Sequence, residues 1–548
     1  MSHSGPSLRY QAHLRAPSPD PDAGLRGVGH YERKLPKWRY RLRQWLIPLV
    51  RWETPYLAKL QQLSRTPLLD SYFAMTANLG THTFFMTFLP PCFWCGFPNF
   101  GMGLIHMLAA GVYLSGYAKD LVCLPRPLSP PLHRITMSGS AALEYGFPST
   151  HTTNAVSVAL SLLHELWKNQ DHYSPLTYRL LVAACLCYAT SISIGRMYCG
   201  MHGFLDVLFG AVLGAFIAAI RVAYGTAFDN SVIEGSLPYL ICVLVILLLA
   251  VRFHPEPADN CPCFDDSVAF IGVVMGGTVA TWHYSRYLTG SSLPEITLSQ
   301  MYVYTNSDLL KSVGRLVGGI LAVFVWRATM KPIMLGTLPP IFRFFSQFGV
   351  RIPRRFFVQS RDYTSVPPIP SDDKIFPPAS DIPAMISSIR RRKRTVSIGP
   401  QSEADAREHI ANREQVRRET RAANSSRSRS PKRDLQVPIT EGSVLMTPDE
   451  PPTASSYLSV RPNAAGGSLK TTLQANRANV LTPPPSEASA SSDEQREEEQ
   501  ADRKMLAAVE KPRVRYDVEV ITKLVVYAGI AWISLEGSPM IFPKLGLV

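Results

Sequence analysis

The sequence predicts an all-α fold, a polytopic transmembrane helical bundle with a long disordered C-terminal region, and two observations predict it. Residues from about 70 to 330 are dominated by apolar runs, and a helix needs roughly 20 mostly apolar residues to cross the hydrocarbon layer. Residues from about 355 to 515 are rich in Pro, Ser, Arg and Glu, a composition that buries too little apolar surface to offset its ordering entropy. The 46% of residues that are hydrophobic average these two unlike regions.

Residues 1–32 are polar and lack the apolar core of a secretory signal, so insertion is expected to depend on the first spanning helix. The next segment, 33–70, opens with RKLPKWRYRLRQWLIPLVRW, where Arg and Lys alternate with Trp and Leu. That mixture predicts an amphipathic segment lying in the membrane interface. A first span is expected over 72–96, a second over 101–118, a more polar third over 152–167, a fourth over 178–195 and a fifth over 204–224. Together they make a membrane core over 71–225. Further spans over 234–252, 267–284 and 313–330, and a surface-lying stretch over 331–349, fill residues 226–350. Residues 351–515 form the disordered tail, and 516–548 hold a last candidate membrane segment. Its apolar stretch is short and Lys523 sits near its start, so spanning and interfacial readings both stand.

The formal net charge of +14 does not require a nucleic acid partner. Lys and Arg gather at cytosolic helix ends and near anionic head groups, and no RNA- or DNA-binding motif is visible. The nine cysteines are irregularly spaced and form no disulfide framework. Cys92/Cys95 and Cys261/Cys263 are close pairs without His or Cys companions at zinc-like spacing. No HExxH or Asp-rich ion loop occurs, so no metal site is predicted. In the tail, RRRKRTVS (390–397) and SRSRSPKR (426–433) set hydroxyls beside basic runs. Ser397 is a candidate kinase site, against the plainer reading of a solvated charge run.

Three polar clusters stand at span ends. Lys119 and Arg126-Pro127 follow the second span, Pro148-Ser149-Thr150-His151 opens the third, and Arg196, His202 and Asp206 lie between the fourth and fifth. The first two share a loop, and two crossings separate them from the third, so all three meet on one face of the membrane. Lys119, Arg126 and Arg196 would bring three positive charges to one place, and arginine's planar fork suits tetrahedral phosphate oxygens. Ser149 and Thr150 sit where free backbone N–H groups and the helix dipole favour an anion. His202 and Asp206, four apart, share a helix face. A carboxylate on one ring nitrogen leaves the other as nucleophile or base, and His151 beside the cradle can protonate a departing alkoxide. Singly, each residue has a plainer explanation as a helix-end charge, a structural pair or a cap. Three like charges, two histidines and one acid converging together do not. His82 and His106, in apolar surroundings, are read as packed or interfacial residues.

These residues, as K-x6-R-P at 119–127, P-S-x-H at 148–151 and R-x5-H-x3-D at 196–206, resemble the three signature motifs of the type 2 phosphatidic acid phosphatase (PAP2) superfamily. The stretches CLPRPLSPPLHR, EYGFPSTHTTNAVS and RMYCGMHGFLDVLFGAVLGA are similar to sphingosine-1-phosphate phosphatases, especially fungal long-chain-base-phosphate phosphatases. The likeness covers residues 35–340 or so. It implies a PAP2-like membrane core and a metal-independent enzyme, without organic cofactor, that dephosphorylates sphingoid base 1-phosphates. It also implies roles: His202 as the nucleophile that forms a phosphohistidine, Asp206 orienting it, and His151 as general acid. Lys119, Arg126, Ser149 and Arg196 would hold the phosphate, with Thr150 beside them. One position departs from the pattern, since the third motif usually begins Ser-Arg and here Gly195 precedes Arg196. The resemblance implies a lumen-facing site in the endoplasmic reticulum membrane, whereas counting basic loops and spans puts the motifs on the cytosolic side. The partners implied are the phosphorylated lipid and the bilayer. Phosphatidate or a polyprenyl diphosphate as substrate, or a catalytically silent membrane scaffold, are the alternatives.

Overall fold

The computed structural model describes residues 22–77, 82–129, 131–135, 143–290, 296–304, 308–349, 354–367, 500 and 513–547. All but Gln500 belong to one compact unit. Its elements are almost entirely helical: α1 (Val28–Lys34), α2 (Lys37–Ser64), α3 (Pro67–Ala77), α4 (His82–Trp94), α5 (Pro98–Val122), α6 (Thr150–Lys168), α7 (Pro175–Tyr198), α8 (Phe204–Glu234), α9 (Leu237–Arg252), α10 (Cys263–Thr289), α11 (Leu309–Gln347) and α12 (Val518–Trp532). Helix α12 continues through a π turn to Ile541.

Six of the described helices are long and apolar enough to cross a membrane: α5, α7, α8, α10, α11 and the stretch Val518–Ile541. Helices α5 and α10 form the interior, and α7 and α8 leave most of their apolar surface outward. On α8, Leu208, Val212 and Phe216 recur every four residues and stand exposed, the stripe a lipid-facing helix presents.

Three expectations about the spans change. The single span expected over 72–96 is two helices, α3 and α4, with residues 78–81 outside those described. The third expected span, the more polar one, is α6, which is not among the six apolar helices. Its Thr152, Thr153, Asn154 and Ser157 are buried against neighbouring helices instead of meeting lipid. Helix α9, at 16 residues, is shorter than a full crossing. The stretch 331–349 was expected to lie on the surface apart from its span, but it continues α11 as one 39-residue helix through Pro332, Pro339 and Pro340.

Helix α2 shows why burial and amphipathicity have to be read together. Trp38, Trp45 and Trp52, seven apart, are exposed along one face. Arg39 and Arg43, on the other side, are buried, and donate to the last carbonyls of α5: Arg39 to Asp120 and Leu121, Arg43 to Cys123 at 3.1 Å. Those carbonyls have no partner within the helix, and a cation is the group that suits a helix C-terminus. The basic residues of this segment therefore fix the end of α5 that carries Lys119.

The tail is shorter than its composition predicts. Phe357–Val358 pairs in parallel with Arg515–Tyr516, and Asp517 accepts from Ser360 N at 2.8 Å and Tyr363 Oη at 2.6 Å. Arg354 stacks on Phe264 of α10, 3.2 Å from the ring centroid, and Arg515 pairs with Asp265 at 3.2 Å. Both ends of the expected tail are thus held to the first turn of α10 by cation–π and ionic contacts. Residues 368–499, with Ser397 and both basic runs, lie outside the described set.

Candidate active site

Helix ends bring the predicted residues together. Helix α5 stops after Val122 with Cys123 in the left-handed region, φ 56°, and Pro125 and Pro127 bar any helical continuation. Helix α6 begins at Thr150 behind the N-cap Ser149. Helix α8 packs against α6 through Gly210 and Gly214. A Cβ at Gly210 would meet the Ser149 carbonyl at 2.7 Å, and one at Gly214 the Thr153 carbonyl at 2.4 Å. Small residues four apart let two membrane helices approach this closely, and Ser149 N reaches the Asp206 carbonyl at 3.0 Å.

At the centre, Arg126 Nη1 donates to His202 Nε2 at 3.2 Å and to the Met201 carbonyl at 2.8 Å. His202 Nδ1 faces Asp206 Oδ2 at 3.6 Å, and the same carboxylate oxygen accepts from Gly203 N at 2.9 Å. The imidazole is 1% exposed. Burial and then the charges of Arg126, Arg196, Lys119 and His151 hold it well below the ordinary histidine range. Both causes favour the neutral ring, the state in which a ring nitrogen can attack or accept a proton.

Lys119 and Arg196 are buried beside it. Arg196 feels the charges of Arg126 and Glu144, and its Nε has no hydrogen-bond partner. His151 is half-buried, near enough for its charge to act on His202. The Ser149 hydroxyl accepts from Thr152 N at 3.4 Å and from the Thr152 hydroxyl at 3.0 Å. Thr150 behaves differently, with its hydroxyl 2.7 Å from that of Ser115 on α5, so it ties α6 to α5. Gly195 has a steric reason: a Cβ there would lie 2.6 Å from the Phe73 ring, so α3 occupies the space a serine side chain would need.

Two further acids belong to the site. Glu144 Oε2 accepts from Arg126 Nη2 at 2.9 Å and lies 3.9 Å from Lys119 Nζ. Glu53, from α2, is 1% exposed and accepts from Leu205 N at 3.1 Å. A Cβ at Gly203 would meet its carboxylate at 1.8 Å. Burial and the charge of Asp206 push Glu53 up to about 7. Glu144 had a faint sequence signal, an acid four residues before Pro148. Glu53 had none, being separated by 152 residues from its partner.

None of the cationic cluster is a usual metal ligand except the histidines. Among the described residues, Asp120, Cys261 and Cys263 bring ligand atoms within 4.8 Å of one another. Asp120 supplies the companion that spacing alone did not reveal for the two cysteines. This trio lies outside the cluster. His106 does not stand alone either: it sits 3.1 Å from Arg221 and 3.6 Å from Asp229. The side chain of His82 is outside the described set.

Comparison with known proteins gives the same residues a family context. The PAP2 superfamily model matches residues 100–229, which span all three clusters. A dihydrosphingosine 1-phosphate phosphatase of Schizosaccharomyces pombe is 42% identical over 330 residues, 60% of this chain and 78% of that protein. One from Saccharomyces cerevisiae is 35% identical over 58% of this chain and 76% of its own length. Sphingosine-1-phosphate phosphatase 2 of Homo sapiens is 27% identical over 54% and 73%. No solved structure matches.

Proposed function

The chain belongs to the PAP2 superfamily, and from that premise we propose that it hydrolyses long-chain sphingoid base 1-phosphates in the endoplasmic reticulum membrane through a phosphohistidine. The observation that carries the mechanism is the buried His202, with Nδ1 toward Asp206 and Nε2 on the Arg126 guanidinium.

When phosphate enters, its oxygens take over the Arg126 donors, and Lys119 and Arg196 neutralise the remaining charge. The Nε2 lone pair attacks phosphorus as the bond to the sphingoid C1 oxygen breaks. Cations aimed at the equatorial oxygens stabilise the charge that develops there. His151 gives its proton to the departing alkoxide. Asp206 stabilises the positive ring that results, as an acid does for a catalytic histidine. Water, losing a proton to His151, then attacks the phosphohistidine and releases inorganic phosphate, returning His202 to its neutral form. Ser149 caps α6 and holds its amides at the cradle's edge. The names of the most similar relatives support the substrate class.

The test is phosphate release by the purified protein from dihydrosphingosine 1-phosphate and from phosphatidate, with and without a chelator of divalent ions. Preferential release from the sphingoid substrate, undiminished by chelator, is expected. Loss in chelator restored by magnesium would refute the metal-free route, and preference for phosphatidate would refute the substrate class.

A further inference from the structure

We propose that Glu144 determines substrate choice by binding the protonated amine of the sphingoid headgroup. The inference rests on the proposed reading of this site and names a contact that reading leaves open.

The starting point is a mismatch of charge. A cradle built for an anion holds a carboxylate, with Glu144 Oε2 2.9 Å from Arg126 Nη2 and 3.9 Å from Lys119 Nζ. The backbone carbonyl of the same residue accepts from Arg126 Nε at 3.1 Å. A fixed negative charge beside a phosphate site repels every phosphomonoester that carries no compensating charge.

Position supplies the resolution. The side chains of Lys119, Arg126, His202 and Asp206 are 2–7% exposed, whereas that of Glu144 is 25% exposed. Glu144 therefore stands at the mouth, with the cations behind it. Its backbone is pinned: the neighbouring Tyr145 hydroxyl donates to Asp259 at 3.1 Å and accepts from Asp259 N at 2.8 Å, and Gly146 N donates to the Leu124 carbonyl at 3.0 Å. The backbone that carries the carboxylate cannot leave the cradle without breaking these contacts. Phosphate that takes the Arg126 fork leaves Glu144 released from the guanidinium but still beside the bound headgroup.

A sphingoid base 1-phosphate carries an ammonium on the carbon next to the one bearing the phosphate. Seating the phosphate on Arg126 brings that ammonium to the mouth, within reach of the released carboxylate. The carboxylate exchanges its guanidinium contact for the ammonium, while Arg126 turns to the phosphate. Phosphatidate has no amine, and an N-acylated sphingoid phosphate has a neutral amide, so both set the Glu144 carboxylate against the phosphate with no substrate cation between them. Placing like charges side by side in this way is how a site rejects an analogue.

The experiment compares the full-length protein and its Glu144→Gln and Glu144→Asp variants on dihydrosphingosine 1-phosphate and on its N-acyl derivative, which carries the same phosphate ester. Wild type is expected to favour the free amine. Glu144→Gln is expected to shrink the ratio of the two kcat/KM values by about 10–100-fold, the range for a hydrogen bond to a charged group, and Glu144→Asp to keep part of it. An equal loss on both substrates would show that Glu144 merely supports Arg126 and would overturn the proposal, as would an unchanged ratio. Failure of the wild-type protein to release phosphate from either sphingoid substrate is a different result: it would overturn the parent reading, and this inference with it.

Discussion

Helices α5 and α8 each carry two polar clusters, and the two clusters handle charge in opposite ways. Near the α5 N-terminus and the α8 C-terminus, Arg221 donates to Asp229 at 2.6 and 3.1 Å and lies 3.1 Å from His106. One cation meets one carboxylate, and the ion pair closes on itself. At the other end of α5, about 20 Å along the helix axis at 1.5 Å per residue, Lys119, Arg126 and Arg196 face His202 with an Arg196 Nε that bonds to nothing. Burying ions is costly in either place, yet only the first cluster is balanced internally. The difference teaches that ionisable residues within a bilayer are not diagnostic by themselves. What marks the second cluster as a place for a ligand is three cations gathered round one buried histidine, with the Arg196 Nε left without a hydrogen bond.

The comparison breaks most sharply at His202. His202→Ala is expected to lower phosphate release at least about 10³-fold while membrane insertion and thermal stability stay near wild type, checked by turnover and unfolding of the same preparation. Residual turnover within tenfold of wild type would remove the nucleophile from this proposal. Arg126→Ala is expected to cost about 10²–10³ in kcat, the usual loss on deleting one charge-stabilising donor. Arg126→Lys should recover only part of it, because a point charge lacks the bidentate fork.

The balanced cluster should answer in stability instead of rate. Arg221→Met or Asp229→Leu alone strands a buried charge, for which about 3 kcal/mol or more of destabilisation is expected. The double substitution should restore most of it, and turnover per folded molecule should hold throughout. A rate loss in the double variant with stability recovered would mean that this cluster also serves the chemistry.

How far the sequence reaches follows the same divide. Lys119, Arg126, His202 and Asp206 were legible because their spacing is local and the span count placed their clusters on one face. Helix α6 was read as a more polar span. Its Thr152, Thr153 and Ser157 pack against protein and not lipid, a tertiary choice no periodicity reveals. The break between α3 and α4 was hidden by a continuous apolar composition. The ordered ends of the tail, at Arg354 and Arg515, were hidden by a polar composition whose partners, Phe264 and Asp265, lie elsewhere in the chain. Glu53 was beyond reach for a related reason: its meaning comes from Leu205 and Gly203, which only folding brings to it.

Glu53 also supplies the finest test of the contrast, because it is a carboxylate held without a cation. Burial, and then the nearby Asp206, push it up to about 7, above its unfolded value near 4.5. The folded state thus holds this proton more tightly than the unfolded chain does. Its contribution is complete below about pH 4.5 and is lost as pH rises through about 7, because ionisation leaves an unpaired charge beside Asp206. Glu53→Gln keeps an acceptor for Leu205 N and removes the titration. Across pH 5–8 the wild-type Tm should therefore fall relative to the variant, by a few degrees at most, with the gap widest above pH 7. Parallel Tm curves over that window would show that Glu53 is compensated by a charge and that the His202 turn is balanced after all.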